Sequence, residues 1–274
     1  MATIVLPIGH YVRRVIRGIR YWCSKTPIER IYLIYDKRRN TMANISQINA
    51  EHIEKLISSA LYDVFRIPVN MNAFEDAFST LYLITRYEVQ VMKNEEILID
   101  ITDTNVKVIS AAISLAYLFP SIKAYIVPGE DNTVADLDIS VREFYDQLDQ
   151  YAGDPYEIPI PRGKALEINF EEERILLTLL MHGGRTNSIK SLIMWSDEDP
   201  LDPAIKNKFS RLIKRLFEKH LVEIEIRAKT KAIKLTDFGR ALALGIRKFN
   251  KLKDRGYDLS QLGFYLKKEY LLPT

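Results

Sequence analysis

Five short apolar runs, rich in isoleucine and valine and separated by segments of helical length, constrain this chain more than any other feature. They lie at residues 3–8, 30–35, 64–69, 96–101 and 123–127. Between them the pattern predicts helices over residues 9–22, 50–62, 73–92 and 106–118, with a polar stretch over 36–46 ahead of the second. A strand apolar on both sides must be covered on both faces, so such runs alternating with helices make βα units and a parallel sheet. The expected fold class of this half is α/β, Rossmann-like.

The period changes after residue 163. A helix is expected at 139–151, followed by GDPYEIPIPRG at 153–163, which holds three prolines and two glycines and reads as a linker. Beyond it, acidic residues open a helix at 171–182, where the macrodipole favours them, and Gly183, Gly184 and Arg185 end it. A short helix follows at 188–195. Asp202 and Pro203 form an N-cap and first-turn pair that opens a helix running to about residue 219. Strands at 221–227 and 231–235 flank a tight turn, and Thr236 caps a last helix over 237–251. That order is the α+β winged helix-turn-helix. The expected organisation is a Rossmann-like domain at 1–152, a Pro-rich linker at 153–163 and a winged-helix domain at 164–274.

Charge follows the same division. Residues 163–274 carry 22 Lys/Arg against 15 Asp/Glu, whereas residues 1–162 carry 17 against 21, so a polyanionic partner is expected for the second half. A single cysteine, Cys23, excludes an intrachain disulfide and a cysteine-rich zinc site. No apolar run approaches the roughly 20 residues of a membrane span, and the first residues read as a strand instead of a signal peptide. The chain reads as a cytoplasmic protein with no membrane partner.

On the helix from Pro203, the residues Ile205, Phe209, Leu212, Ile213 and Leu216 make one apolar stripe. At about 100° per residue, Asn207, Arg211 and Lys214 point nearly opposite, with Lys206, Lys208, Ser210 and Arg215 completing the polar surface. Cations, an amide and a hydroxyl on one outward face suit a recognition helix on double-stranded DNA, and Lys229 and Lys231 at the hairpin tip suit a wing against the backbone. The same helix contains RLFEKH, which matches the R-x-x-x-x-H signature of metal-independent ribonucleases. Positions five apart on a helix diverge by about 140°, so Arg215 and His220 are expected to point apart, with His220 extending the buried stripe.

In the first half, ligands are expected outside the carboxyl ends of the strands. Pro7-Ile8-Gly9-His10 ends the first, where a glycine lets a ligand approach the backbone at a helix N-terminus. ILIDITDTNVK ends the fourth and supplies Asp100, Thr102, Asp103, Thr104, Asn105 and Lys107, a set suited to a phosphate or nucleotide. Equally, Thr104 or Asn105 caps the following helix and Lys107 is solvated. There is no G-x-G-x-x-G and no G-K-[ST], so NAD and ATP chemistry are not expected, and no cofactor, metal site or catalytic residue is assigned.

A strand ending in D-x-T, a polar turn, then a Lys opening a helix of small residues (Ser110, Ala111, Ala112) resembles the CRISPR-associated Rossmann fold (CARF) domain. The order of this domain, a Pro-rich linker and a winged helix is similar to the CARF winged-helix transcriptional regulators over nearly the whole chain. The resemblance implies a homodimer presenting these loops across a two-fold axis to a cyclic oligoadenylate, cyclic tetra-adenylate in the first place, with operator DNA on the winged helices. It assigns Gly9 and His10 to the first-strand loop, and Asp100, Thr102, Asn105 and Lys107 to the fourth-strand motif. The sequence departs from the family pattern in having no glycine in TDTNV and in placing Lys107 seven residues after Asp100 instead of six. Three rivals follow from the same residues: an oligoadenylate-activated ribonuclease using Arg215 and His220, a ring nuclease using Lys107 and Thr102, and an adaptor whose winged helix docks a protein.

Overall fold

Strands β1 (Ala2–Pro7), β2 (Ile28–Asp36), β3 (Asp63–Val69), β4 (Glu96–Asp100) and β5 (Ile122–Ile126) form on the five apolar runs. The structure, a computed structural model, describes residues 1–58, 62–129, 153–160, 166–227 and 230–258. The five strands are mutually parallel in the order β3-β2-β1-β4-β5. Helices α1 (Val12–Lys25) and α2 (Thr41–Ile57) step the chain one way across the sheet, and α3 (Phe74–Gln90) and α4 (Val106–Leu118) step it the other. Right-handed crossovers therefore put α1 and α2 on one face and α3 and α4 on the opposite face. The alternation within β1 shows this directly. Ile4 and Leu6 join Val15 and Ile19 of α1 and Ile53 of α2 in one core, while Val5 joins Leu81 of α3 and Ala111 of α4 in the other. The N-terminal half is Rossmann-like, as expected.

Helix α2 corrects the expected element at 50–62: it begins at Thr41 and ends at Ile57. Asn40 caps it by accepting from the Ala43 N–H (2.9 Å). Its buried side is built from Ala43, Ser46, Ala50, Ile53 and Ile57, while Met42, Ile45 and Ile48 face outward. The first turns thus hide small residues and show large ones, the reverse of the usual pattern.

Part of the expected linker belongs to the sheet. Strand β6 (Tyr156–Glu157) pairs antiparallel with β5, and the Ile158 N–H donates to the Ala124 carbonyl (2.8 Å). The expected helix at 139–151 and the end of the linker, 161–163, lie outside the described residues.

The C-terminal half contains α5 (Phe170–Met181), β7 (Arg185–Thr186), α6 (Ile189–Trp195), α7 (Pro203–Glu218), β8 (Val222–Arg227), β9 (Thr230–Leu235) and α8 (Asp237–Asp254). Each helix start carries the side-chain cap its sequence offers: Asn169 with Glu172 in a reciprocal capping box, Ser188, Asp202 and Thr236. Strands β8 and β9 form the hairpin, and β7 joins β9 to give a three-stranded sheet in the order β7-β9-β8. This is a winged helix. Strand β7 occupies residues expected only to end a helix.

The winged helix is packed onto the α3/α4 face. Helix α8 lies along α3: Phe238 meets Phe78 edge-on at 5.1 Å, and a Cβ on Gly245 would sit 2.6 Å from Tyr82 Cδ1. Within this seam the Lys248 ammonium is buried and donates to Asp76 Oδ1, Ser79 Oγ and Thr80 Oγ1, each at 2.9 Å. Arg86 of α3 pairs with Glu173 of α5 at 2.8 Å and covers the Phe249 ring. Leu176, Leu212 and Ile246 consequently belong to the same apolar core as Val5 and Leu81. At the other end of α3, the fully buried Glu88 accepts from Thr3 Oγ1 (2.8 Å), Arg30 Nε (2.9 Å), Tyr32 OH (2.5 Å) and Asn94 Nδ2 (2.6 Å), fixing the helix to β1 and β2. A buried carboxylate is tolerable only with this degree of satisfaction.

Candidate ligand crevice and nucleic-acid interface

Strand order reverses between β1 and β4, so the loops that follow these two strands flank the crevice where open α/β sheets take ligands. Both sequence-selected segments, Gly9-His10 and 100–107, meet there. Asp103 joins them. Its carboxylate is buried and accepts from the Gly9 N–H (3.0 Å) and the Tyr11 N–H (2.6 Å), capping the approach to α1 from a position 94 residues away in sequence. Burial pushes the Asp103 carboxyl above its ordinary range, against the hydrogen bonds it receives from the main chain of residues 9–11. Gly9 is needed at this contact for space: a Cβ there would stand 2.5 Å from Asp103 Oδ1 and 2.6 Å from its carbonyl oxygen. From the other side, Ser46 Oγ donates to the Ile8 carbonyl and Asn49 Nδ2 to the Gly9 carbonyl (2.7 Å).

The remaining residues divide into scaffold and rim. Asp100 is buried under α1; its Oδ1 accepts from the Thr102 N–H (2.7 Å), and its Oδ2 and the Tyr125 hydroxyl lie together beneath Gly18. Burial raises Asp100 to about 7, against the opposing hydrogen bonds of Thr102 and Tyr125. Thr102 Oγ1 accepts from the Val127 N–H (2.8 Å) and ties β4 to β5. Asn105 caps α4 by accepting from the Lys107 and Val108 N–H groups, and its Nδ2 donates to the Met71 carbonyl (2.9 Å). Thr104 is half-buried, its hydroxyl oxygen is buried without a hydrogen-bond partner among the described residues, and His10 and Lys107 are exposed. The crevice therefore presents His10 and Lys107 at its rim, while Asp100, Thr102, Asp103 and Asn105 hold its walls and the Thr104 hydroxyl is buried between them.

Sequence reasoning passed over Lys37, Arg38 and Arg39, which follow β2 on the same edge of the sheet. Three consecutive cations directly after a buried strand were the available signal. Lys37 pairs with Asp76 Oδ2 at 2.6 Å, Arg38 grips Asp36 through Nε (2.9 Å) and Nη2 (2.6 Å), and Arg39 is exposed.

The second surface is α7. Phe209, Leu212, Ile213 and Leu216 are buried, whereas Lys206, Asn207, Ser210, Arg211, Lys214 and Arg215 are exposed. Lys208 is half-buried and paired with Glu171 at 2.5 Å, and Lys214 has only a loose partner in Glu218 at 3.8 Å. On the hairpin Lys231 is exposed; Lys229 lies outside the described residues. Helix α7 packs on α5, α6 and β8, and it is α8 that packs on α3, so the cationic face is open to solvent.

His220 departs from expectation. It is exposed and sits past the helix end with φ 55°, its carbonyl accepting from Thr236 Oγ1 (2.9 Å). The Leu221 N–H bonds the Leu216 carbonyl (2.9 Å), a C-terminal cap that turns the chain and gives the next buried position to Leu221. Arg215 remains on the last helical turn, and β8 (Val222–Arg227) pairs with β9 (Thr230–Leu235) immediately beyond.

Neither a protein-family model nor a curated protein sequence matches this chain. Among solved structures, the chain is similar to Enterococcus italicus Csm6 bound to cyclic hexa-2′-fluoro-hexa-dAMP, with a TM-score of 0.41 and 12% identity over 81% of this chain and 56% of that one. It is also similar to Sso10a-2, a DNA-binding protein from Sulfolobus solfataricus, with a TM-score of 0.26 and 18% identity over 37% of this chain and 96% of that one. A third similarity is to the MarR family transcriptional regulator SPO1453 from Silicibacter pomeroyi DSS-3, with a TM-score of 0.25 and 19% identity over 36% of this chain and 72% of that one.

Proposed function

We propose that the protein is a ligand-responsive, homodimeric DNA-binding regulator of CRISPR or antiviral genes. The observation that supports it most is the α7 surface: six polar or cationic side chains exposed on one face, held by the buried Phe209, Leu212, Ile213 and Leu216 opposite, beside a hairpin wing. Such a face combines phosphate-neutralising charge with the guanidinium and amide groups that read base edges. Its ligand is a cyclic oligoadenylate, cyclic tetra-adenylate in the first place, received at the β1/β4 crevice by His10 and Lys107 of both protomers. A ring with two-fold symmetry suits loops repeated about a dimer axis. Binding acts by favouring one arrangement of the two protomers.

The test is DNA affinity across a salt series. Wild type should show a linear fall of log affinity with log salt. Arg211→Ala with Lys214→Ala should weaken binding and make the slope shallower by about one for each phosphate no longer neutralised. Binding without a salt slope, or a double variant that binds like wild type, would rule out the reading.

A further inference from the structure

The sheet edge and the winged helix are joined by one carboxylate. Asp76, in the first turn of α3, is 5% exposed, and each of its oxygens has an ammonium partner. Oδ2 takes Lys37 (2.6 Å) and the Asn70 N–H (2.8 Å), both at the carboxyl end of the sheet. Oδ1 takes Lys248 (2.9 Å), which stands on α8, the helix that leaves the wing. Lys37 is the first residue after β2, and its N–H donates to the Val69 carbonyl at the end of β3. Burial alone would raise the Asp76 carboxyl, but Lys248 and Lys37 together hold it well below the usual carboxylate range. The chain therefore places a charged contact of the ligand edge and a charged contact of the DNA-reading unit on opposite oxygens of one buried group.

We propose that Lys37, Asp76 and Lys248 are a transmission element, through which a change of charge balance at the sheet edge alters how firmly the winged helix is held. An anion bound at that edge competes with Asp76 for the Lys37 ammonium. Drawing Lys37 away leaves Oδ2 desolvated with one N–H donor, and the clasp between α3 and α8 opens more often. Lys37 suits the role of reporter because it is the outermost of the three, with its side chain 16% exposed against 6% for Asp76 and 5% for Lys248. The element deepens the regulatory reading given above, and the experiment separates the two.

Lys37→Gln is the informative variant, since it removes the charge at the solvent edge and leaves a neutral amide in its place; Asp76→Asn is the harsher companion. Amide hydrogen exchange is measured on the full chain with neither ligand nor DNA, and DNA affinity is measured in parallel. Loss of one charge-assisted hydrogen bond predicts roughly tenfold faster exchange in α8 around residues 245–249 of Lys37→Gln. Lys55→Gln, which removes an exposed charge from α2, should leave α8 unchanged. Exchange altered only near residues 36–40 and 70, or slower exchange in α8, overturns the proposal. Where α8 responds and DNA affinity falls severalfold with it, both readings stand. If α8 responds but no DNA is bound by either protein, the transmission element stands and the DNA reading falls. DNA binding that is unaffected by a variant whose α8 is also unaffected removes the element alone.

Discussion

Replacing Lys248 by methionine keeps most of the side-chain volume and removes one buried charge. The wild-type ammonium makes three hydrogen bonds of 2.9 Å with its side chain 5% exposed, so the variant strands Asp76 with Lys37 and the Asn70 N–H and deprives Ser79 and Thr80 of this donor. Breaking a buried pair by removing one member costs about 3–5 kcal/mol, and the surviving Lys37 contact argues for the lower end, about 3 kcal/mol. In a chain of this size each kcal/mol moves the midpoint by roughly 2–4 °C, so thermal unfolding should come about 10 °C earlier. The loss also depends on pH in a stated direction. The depressed Asp76 carboxyl stabilises the fold above its unfolded value of about 4, and that contribution disappears only as pH falls through the folded value. Without Lys248 the carboxyl protonates at higher pH, so the gap between variant and wild type should narrow on acidification. Urea titrations followed by far-ultraviolet circular dichroism at neutral and acid pH measure both effects. A loss below about 1 kcal/mol, or a gap constant over the acid range, would refute the claim that this ion pair holds α8 on α3.

Two further outcomes follow from the crevice. Gly9→Ala forces a Cβ against the main chain of Asp103, so it should lower the thermal midpoint by several degrees, and calorimetry with cyclic tetra-adenylate should show at least about a tenfold weaker complex. Asp100 has the opposite linkage to Asp76: its folded value of about 7 lies above the unfolded value, so it lowers stability progressively as pH rises from about 4 to about 7. Asp100→Asn should therefore gain a few kcal/mol over wild type at pH about 8 and match it near pH about 4, and parallel urea midpoints at the two pH values would contradict the assignment.

The elements legible in sequence are those whose signals are local. Helix α4 is expected at 106–118 and spans those residues, because Asn105 supplies a cap and Val108, Ala111, Ala112 and Leu115 keep helical spacing inward. The hairpin and α7 are legible for the same reason, through Asp202, Pro203 and Thr236. The start of α2 is not, because Met42, Ile45 and Ile48 face outward. His220 is misplaced by extending a helical period past the point where a left-handed residue ends the helix. Strands of two residues, β6 and β7, are too short for any period to register. In the crevice the residue types are right but their duties could not be divided, since Asp103 finds its partners 92 and 94 residues away. The contact of Lys248 with Asp76 spans 172 residues, and a buried lysine on an amphipathic helix looks in one dimension like a solvated one.

The seam between α3 and α8 also bears on how such a chain can be rearranged over time. Phe238, Gly245 and Lys248 meet Phe78, Tyr82 and Asp76 of the Rossmann side, so a fragment of residues 166–258 alone would expose an apolar flank and lose the Asp76 contact of a buried cation. Joining this winged helix to a different Rossmann-like half would require α3 and α8 to travel as a matched pair.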